Sequence, residues 1–260
     1  MRQALIVILL AAPLLALRPK PEAESAFEKY LAGNDQRVQT ELKGEPFLWI
    51  DSKPEAQRRE VRSGQMAVAN LKPESFKLPA ALVHHWVATV FVPGVTYRQT
   101  IELVTDYDRY AEIHRPYFIA SKTLQRNGDD AQILLRLYRK LIIKAAVDTE
   151  HVVDYTPLSP TRGHSRTHTV RIQQVDNPGE PDERLRPEGE DMGFLWRHVT
   201  YWRFEEREGG TWIQVEALSL SRSLPMGLNL VFGPWFKGVH REFLVHMVAA
   251  TSRGLMQRYR

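Results

Sequence analysis

The chain has 260 residues, 43% hydrophobic and 25% charged, which suits one large domain or two small ones and excludes wholesale disorder. Its net charge of +4 is spread thinly, without a run of five basic residues, so it carries no nucleic-acid footprint. It has no cysteine, which removes disulfides, thiolate metal sites, thiol nucleophiles and an acyl-cysteine anchor.

Residues 1–17 read as a signal peptide. Arg2 supplies the positive start, and Ala4 to Leu17 is an apolar run of 14 residues broken only by Pro13. A membrane-spanning helix needs about 20 apolar residues, so this run fits a leader. Ala16 offers a cleavage site with a poorly matching Leu14 two residues before it; an uncleaved N-terminal anchor is the alternative. Either way the folded part is expected outside the cytoplasm, periplasmic or secreted.

Residues 18–81 read as a linker and a small extension. Arg18 to Glu24 is charged and proline-bearing. Ser25 to Leu42 carries a thin apolar stripe (Phe27, Tyr30, Leu31, Val38, Leu42), which predicts a short surface helix interrupted near Gly33-Asn34. Phe47 to Ile50 predicts a short strand, and Val61 to Leu71 another, with Gly64 at a turn or bulge.

From Leu82 the pattern strengthens. Leu82 to Val92 is an apolar strand closed by Pro93-Gly94. Tyr97 to Tyr110 has helical spacing, with Thr96 placed to cap its first turn. Phe118 to Gln125 is extended, and Arg126-Asn127-Gly128-Asp129 is a hairpin turn. Two further strands follow. Ile133, Leu135, Leu137 and Leu141 share one face with Arg139, and Ile143 to Tyr155 alternates in the same way. Arg136, Lys140, Lys144, Asp148, Glu150 and Asp154 fall on the opposite faces, which are expected in water, so the sheet should have a single covered side. After a loop at Pro157–Gly163, His164 to Val175 is another strand, and Asn177 to Asp191 an exposed loop.

Gly193 to Arg222 is the clearest stretch. Phe194, Trp196, His198, Thr200, Trp202 and Phe204 alternate against Leu195, Arg197, Val199, Tyr201, Arg203 and Glu205. Glu208-Gly209-Gly210 turns the chain, and Ile213, Val215, Ala217, Ser219 and Ser221 then alternate against Trp212, Gln214, Glu216, Leu218 and Leu220. Met226 to Phe232 is an apolar stretch with one glycine, and Gly233 follows it. Trp235 to Gln257 is an amphipathic helix with Trp235, Val239, Phe243, Met247 and Ala250 on its apolar stripe. No stretch repeats at a fixed period.

One sheet with one covered face needs a cover, and the last helix supplies it. Phe91-Val92-Pro93-Gly94, the run Thr105 to Ile113, and Ser219 to Pro225 come in an order and spacing that resemble the START-like superfamily, also called SRPBCC, helix-grip or polyketide-cyclase-like. The stretch from Leu195 to Glu206 looks like an uncharacterised exported bacterial branch of it. The resemblance covers about Leu82 to Leu255. It implies an α+β helix-grip fold over residues 82–257, a curved antiparallel sheet wrapped around a long C-terminal helix, with an internal cavity for lipids, sterols, polyketides or similar molecules. Some members are cyclases or dehydratases, but none of their catalytic motifs can be placed here.

The expected function is therefore binding or transport of a lipid-like hydrophobic small molecule between sheet and helix. The cavity candidates are His151, Tyr155, Arg166, His168, Trp196, His198, Trp202, Glu216, Phe243 and Met247. Two alternatives stand beside this reading: a cyclase- or dehydratase-type enzyme using His and Glu in the cavity, and a non-catalytic interaction protein with a filled core. A buried His near a Glu can move protons at neutral pH. The plainer use of these groups is to satisfy one another, Arg166 with Glu216 for example, since a buried polar group without a partner costs roughly 1–3 kcal/mol.

No cofactor or metal is expected. His240 and His246 are six apart and share no helix face, and His164 and His168 lie roughly 13 Å apart at ~3.3 Å per residue. There is no G-x-S-x-G elbow and no glycine-rich nucleotide loop. The Met226–Phe232 stretch and Trp235-Phe236, beside Lys237 and Arg241, could instead touch an anionic membrane surface.

Overall fold

Period-2 alternation over three long runs builds the middle of one antiparallel sheet. The computed structural model describes residues 18–74, 76–140, 144–191, 195–223 and 226–259, leaving aside the side chains at 139, 140, 144, 145 and 226–237. The expected leader, residues 1–17, lies outside the described residues. In chain order the elements are α1 (Pro21–Leu42), α2 (Glu55–Arg62), β1 (Ala67–Asn70), β2 (Ala81–Pro93), α3 (Tyr97–Val104), α4 (Tyr110–Ile113), β3 (Phe118–Asn127), β4 (Asp130–Lys140), β5 (Lys144–Ser159), β6 (Arg162–Asp176), β7 (Arg184–Leu185), β8 (Arg197–Arg207), β9 (Gly210–Arg222) and α5 (Met226–Tyr259).

The sheet runs β1-β2-β9-β8-β6-β5-β4-β3, with the short β7 on β6. β8 and β9 form the expected hairpin, with Trp202 opposite Val215 and Phe204 opposite Ile213. β2 lies on the other side of β9, so β9 is central. α5 packs against β2 and β9, with α3 alongside it, and covers what we call the inner face. This is the α+β helix-grip architecture the sequence implied.

Several elements differ from the sequence expectation. α1 is one continuous helix that starts at Pro21, where proline's fixed φ suits a first helical residue. It does not break at Gly33-Asn34 and is no surface helix: Ala23, Phe27, Leu31, Asn34 and Val38 are buried on the outer face of the sheet. Burial of Phe27, Leu31 and Val38 contributes about 1.5–3 kcal/mol each before ordering costs. The sheet around β2, β9 and β8 is thus covered on both sides.

Phe47 to Ile50 is not a strand. The Asp51 amide donates to the Leu48 carbonyl at 3.0 Å and the Leu48 amide to Asp51 Oδ2 at 3.1 Å, which closes a short 3₁₀ turn over Trp49–Ser52, and the Trp49 amide ties it to Gln214 Oε1 at 2.6 Å. Only Ala67–Asn70 of the expected Val61–Leu71 strand is extended. The preceding residues finish α2, and Gly64 takes the turn at a φ of 104°.

Thr96 caps α3 as expected: the Gln99 amide donates to its hydroxyl, and the Gln99 side chain accepts from the Thr96 amide. The helix stops at Val104, and a 3₁₀ turn and α4 follow. Pro157 lies inside β5 rather than in a loop. The ladder to β4 ends at Val153, so proline's missing donor costs no bond on that side. The last helix starts at Met226 rather than at Trp235, so the Met226–Phe232 stretch belongs to α5.

Candidate functional site

The inner face changes character along its length. At the β8–β9 turn end it is a packed apolar core in which Val90, Val92, Trp202, Phe204, Ile213 and Val215 meet Leu244, Met247 and Val248 of α5. Moving away from that turn, the same face reads Trp202, Thr200, His198 on β8 and Val215, Ala217, Ser219, Ser221 on β9. The side chains become smaller and more polar. Trp86 and His84 of β2 lie across from Ala217 and Ser219.

Here histidines gather. His84 stacks on His240 of α5 at 3.5 Å between ring centroids, and Ser219 Oγ lies 3.0 Å from His240 Nδ1. His198 meets the ring of His151 at 6.5 Å and that of Phe243 at 6.2 Å. Phe243 also touches Tyr117 and Phe118, each at 5.6 Å. Burial pushes the imidazole of His198 down to about 4 with no other cause acting on it. Yet His198 keeps part of its surface accessible, as do Thr200, Ala217 and Phe243 around it. A group open to bulk water would not be so desolvated. His198 is thus held away from bulk water while part of its surface stays accessible. His151 is shifted down to about 3 and His84 to about 4, burial leading in both. All three are neutral at pH 7. Among the described residues no group of three or more His, Asp or Glu could hold a metal ion.

The outer face holds the charge. Acidic residues of α1 and the segment after it meet arginines of β6 and β8 in sequence: Glu24 with Arg197, Asp35 with Arg166, Glu41 with Arg203, Glu45 with Arg162 and Asp51 with Arg207. Glu216 is buried at the centre of this layer. It accepts from His85 Nε2 at 2.8 Å, from Asn34 Nδ2 at 2.9 Å and from Arg37. The hydroxyl of Tyr30 closes the chain on His85 Nδ1 at 2.7 Å. Burial alone would raise the Glu216 carboxyl, but the His85 hydrogen bond and the Arg37 charge outweigh it and hold it down at about 2.

No protein-family model matches the sequence, and no curated protein matches it. Solved structures do match. A fragment (25–204) of the STAR-related lipid transfer protein of Xanthomonas axonopodis aligns with 73% of this chain and 98% of its own, at 13% identity and a TM-score of 0.50. The fold is that of the START-like superfamily. A Thermus thermophilus protein matches 67% of this chain and 98% of its own, at 10% identity and a TM-score of 0.48. The Zhui aromatase/cyclase of a Streptomyces species matches 69% and 97%, at 13% identity and 0.47.

Within this START-like fold the ten sequence candidates separate. His151, His198 and Phe243 come together at the polar end of the inner face. Trp202 and Met247 share that face but sit in the packed core, and Tyr155 packs against it with its hydroxyl on that of Tyr97. The other four lie on the outer face under α1. Glu216 stands opposite Tyr201, and strand parity turns both away from α5. Arg166 pairs with Asp35 at 2.9 Å, and His168 lies 3.2 Å from Arg166. Trp196 precedes the first residue of β8, so the alternation does not reach it, and it packs with α1. The expected Arg166–Glu216 pair is therefore absent, each having another partner. A His198–Glu216 proton relay is also excluded by the sheet between them.

Three site residues escaped the sequence reading. His84 follows from the parity of β2, since it alternates with Trp86, Ala88 and Val90. His240 lies three residues before Phe243 and so on the same helix stripe. Ser219 was placed on the correct face but was not singled out. The side chains of Met226–Phe232, Trp235, Phe236 and Lys237 fall outside the described residues.

Proposed function

We propose that this protein binds and carries a lipid-like hydrophobic molecule between the His-bearing end of the inner face and α5. The observation that carries the reading is His198, desolvated enough to depress its imidazole yet still partly accessible. The run of small side chains from Thr200 and Ala217 to Ser219 supports it, because small inward residues leave room between layers about 10 Å apart. The Xanthomonas structure of like fold is named a lipid transfer protein, which agrees. Apolar burial drives binding at about 25 cal/mol per Å² before ordering costs.

The same proposal has residues 1–17 direct the chain out of the cytoplasm, and the N-terminal half of α5, which ends near the exposed Arg241, touch anionic membrane. N-terminal sequencing of the envelope form and co-sedimentation with anionic vesicles check these two parts.

Native mass spectrometry of protein purified from its own envelope, followed by organic extraction, tests the main reading. A defined adduct of lipid mass is expected. A clean apo mass that does not shift after incubation with total lipid extract would sink it.

A further inference from the structure

His151 has one ring nitrogen to spare, and its neighbours fix which. The Thr149 hydroxyl donates its proton to the Leu135 carbonyl at 3.0 Å. Its oxygen can then only accept from His151 Nε2, 2.8 Å away, so Nε2 carries the hydrogen. In a neutral imidazole this leaves Nδ1 as a bare acceptor. His151 is 5% exposed, and Nδ1 has no hydrogen-bond partner. The ring belongs to the inner face, beside His198 and cross-strand from Thr169.

The surroundings select the donor. Thr149, Thr169, His198, Ser219 and Phe243 are all uncharged here. Arg166, Arg203 and Arg197 are spent on the outer face against α1. Neither a guanidinium nor an ammonium is described near His151 to neutralise a carboxylate or phosphate brought into this space, and an unpaired buried charge is costly. A lone acceptor with no countercharge among the described residues suits a neutral O–H.

We propose that His151 anchors the ligand's polar end, and that the ligand is an uncharged apolar molecule whose hydroxyl donates to Nδ1. This rests on the carrier reading and narrows it to lipophilic alcohols. Free acids and anionic phospholipid head groups are the classes it excludes.

Matched probes of one chain length test it: 1-dodecanol, dodecyl methyl ether and dodecanoate, each competing with the neutral dye Nile red on the full-length mature protein. The alcohol should bind roughly tenfold tighter than the ether, the worth of one hydrogen bond in a dry site. Dodecanoate should bind weakest at neutral pH. His151→Phe should erase the alcohol's advantage over the ether. It strands no donor, because Thr149 keeps Leu135. His151→Asn, which can still present an acceptor, should keep the advantage.

Equal binding of alcohol and ether by the unaltered protein overturns the anchor and leaves the carrier reading standing. So does an alcohol preference that survives in His151→Phe. Tightest binding by dodecanoate overturns it in favour of an anionic ligand. Binding of neither the dye nor any probe overturns both readings. The comparison on the unaltered protein decides the matter even if the phenylalanine variant fails to fold.

Discussion

The two faces of one sheet are built on opposite principles. The outer face is closed by charge: five acidic residues between Glu24 and Asp51 meet five arginines, and the buried Glu216 binds three donors at once. The inner face, where described, is closed by apolar packing at one end and left small, polar and neutral at the other. An uncharged space of the proposed kind would need this division of labour to keep the sheet rigid. Order is imposed from outside by α1, so the inner rows need not be filled for the strands to stay in register.

The largest expected effect comes from breaking the outer network. Glu216→Ala leaves Arg37, Asn34 and His85 without their shared acceptor. Losing one partner of a buried ion pair typically costs 3–5 kcal/mol. Arg37 is partly exposed and can rehydrate, so we expect about 3 kcal/mol by urea unfolding. Nile red affinity should stay unchanged while the protein is folded. If affinity falls along with stability, the two faces are not independent.

A smaller loss is expected at the packed end. Gly163 lies where an added Cβ would fall 2.2 Å from the Tyr97 hydroxyl and 2.8 Å from that of Tyr155. Gly163→Ala should cost about 1–3 kcal/mol, the usual range for overpacking, and Gly163→Ala with Tyr155→Phe should recover part of it. A neutral result would mean that the Tyr97–Tyr155 pair moves apart freely.

Acid should separate the faces in pH. The inner histidines titrate lower in the fold than their ordinary 6.5, with His198 and His84 at about 4. The unfolded chain takes up protons that the fold refuses, so stability is full above pH 6.5 and falls between about 6.5 and 4. Glu216 is depressed from 4.5 to about 2, so its contribution is full above 4.5 and is lost as pH falls towards 2. Melting temperature measured against pH should show both windows. His198→Phe should shrink only the upper one, to which His84, His151 and the outer-face His168 also contribute, and Glu216→Gln only the lower. A single merged transition in both variants would contradict the separation.

Much of the fold was legible because β strands announce themselves by parity. The β8–β9 hairpin, β2 and the Thr96 cap all follow from local pattern. What failed was polar burial. Hydrophobic spacing cannot show that Asn34 is inside, because its partner is Glu216, 182 residues away. The same blindness made α1 look like a thin surface helix. It also left β6 and β8 with arginines whose acids come from a segment read as a mere extension. Glu216 was misassigned for a simpler reason: it alternates with Ile213 and Val215, so parity alone sets it on the opposite face.

The smallest stability effect should come with the largest loss of binding, and it addresses the comparison most directly. Ala217 sits on the inner face, half-buried, with Trp86 and Thr200 opposite it on the flanking strands. In a filled core, Ala217→Leu would force neighbours off their rotamers and cost about 1–3 kcal/mol. In an open one the leucine enters existing space, gains apolar contact and leaves stability within about 1 kcal/mol of the parent. It also occupies the ligand's place, so Nile red and 1-dodecanol should bind at least tenfold more weakly, about 1.4 kcal/mol. Stability must hold while binding falls for the carrier reading to stand. A destabilised variant with unaltered binding would mean that this end of the sheet is packed like the other, and that the inner face differs from the outer only in lacking charge.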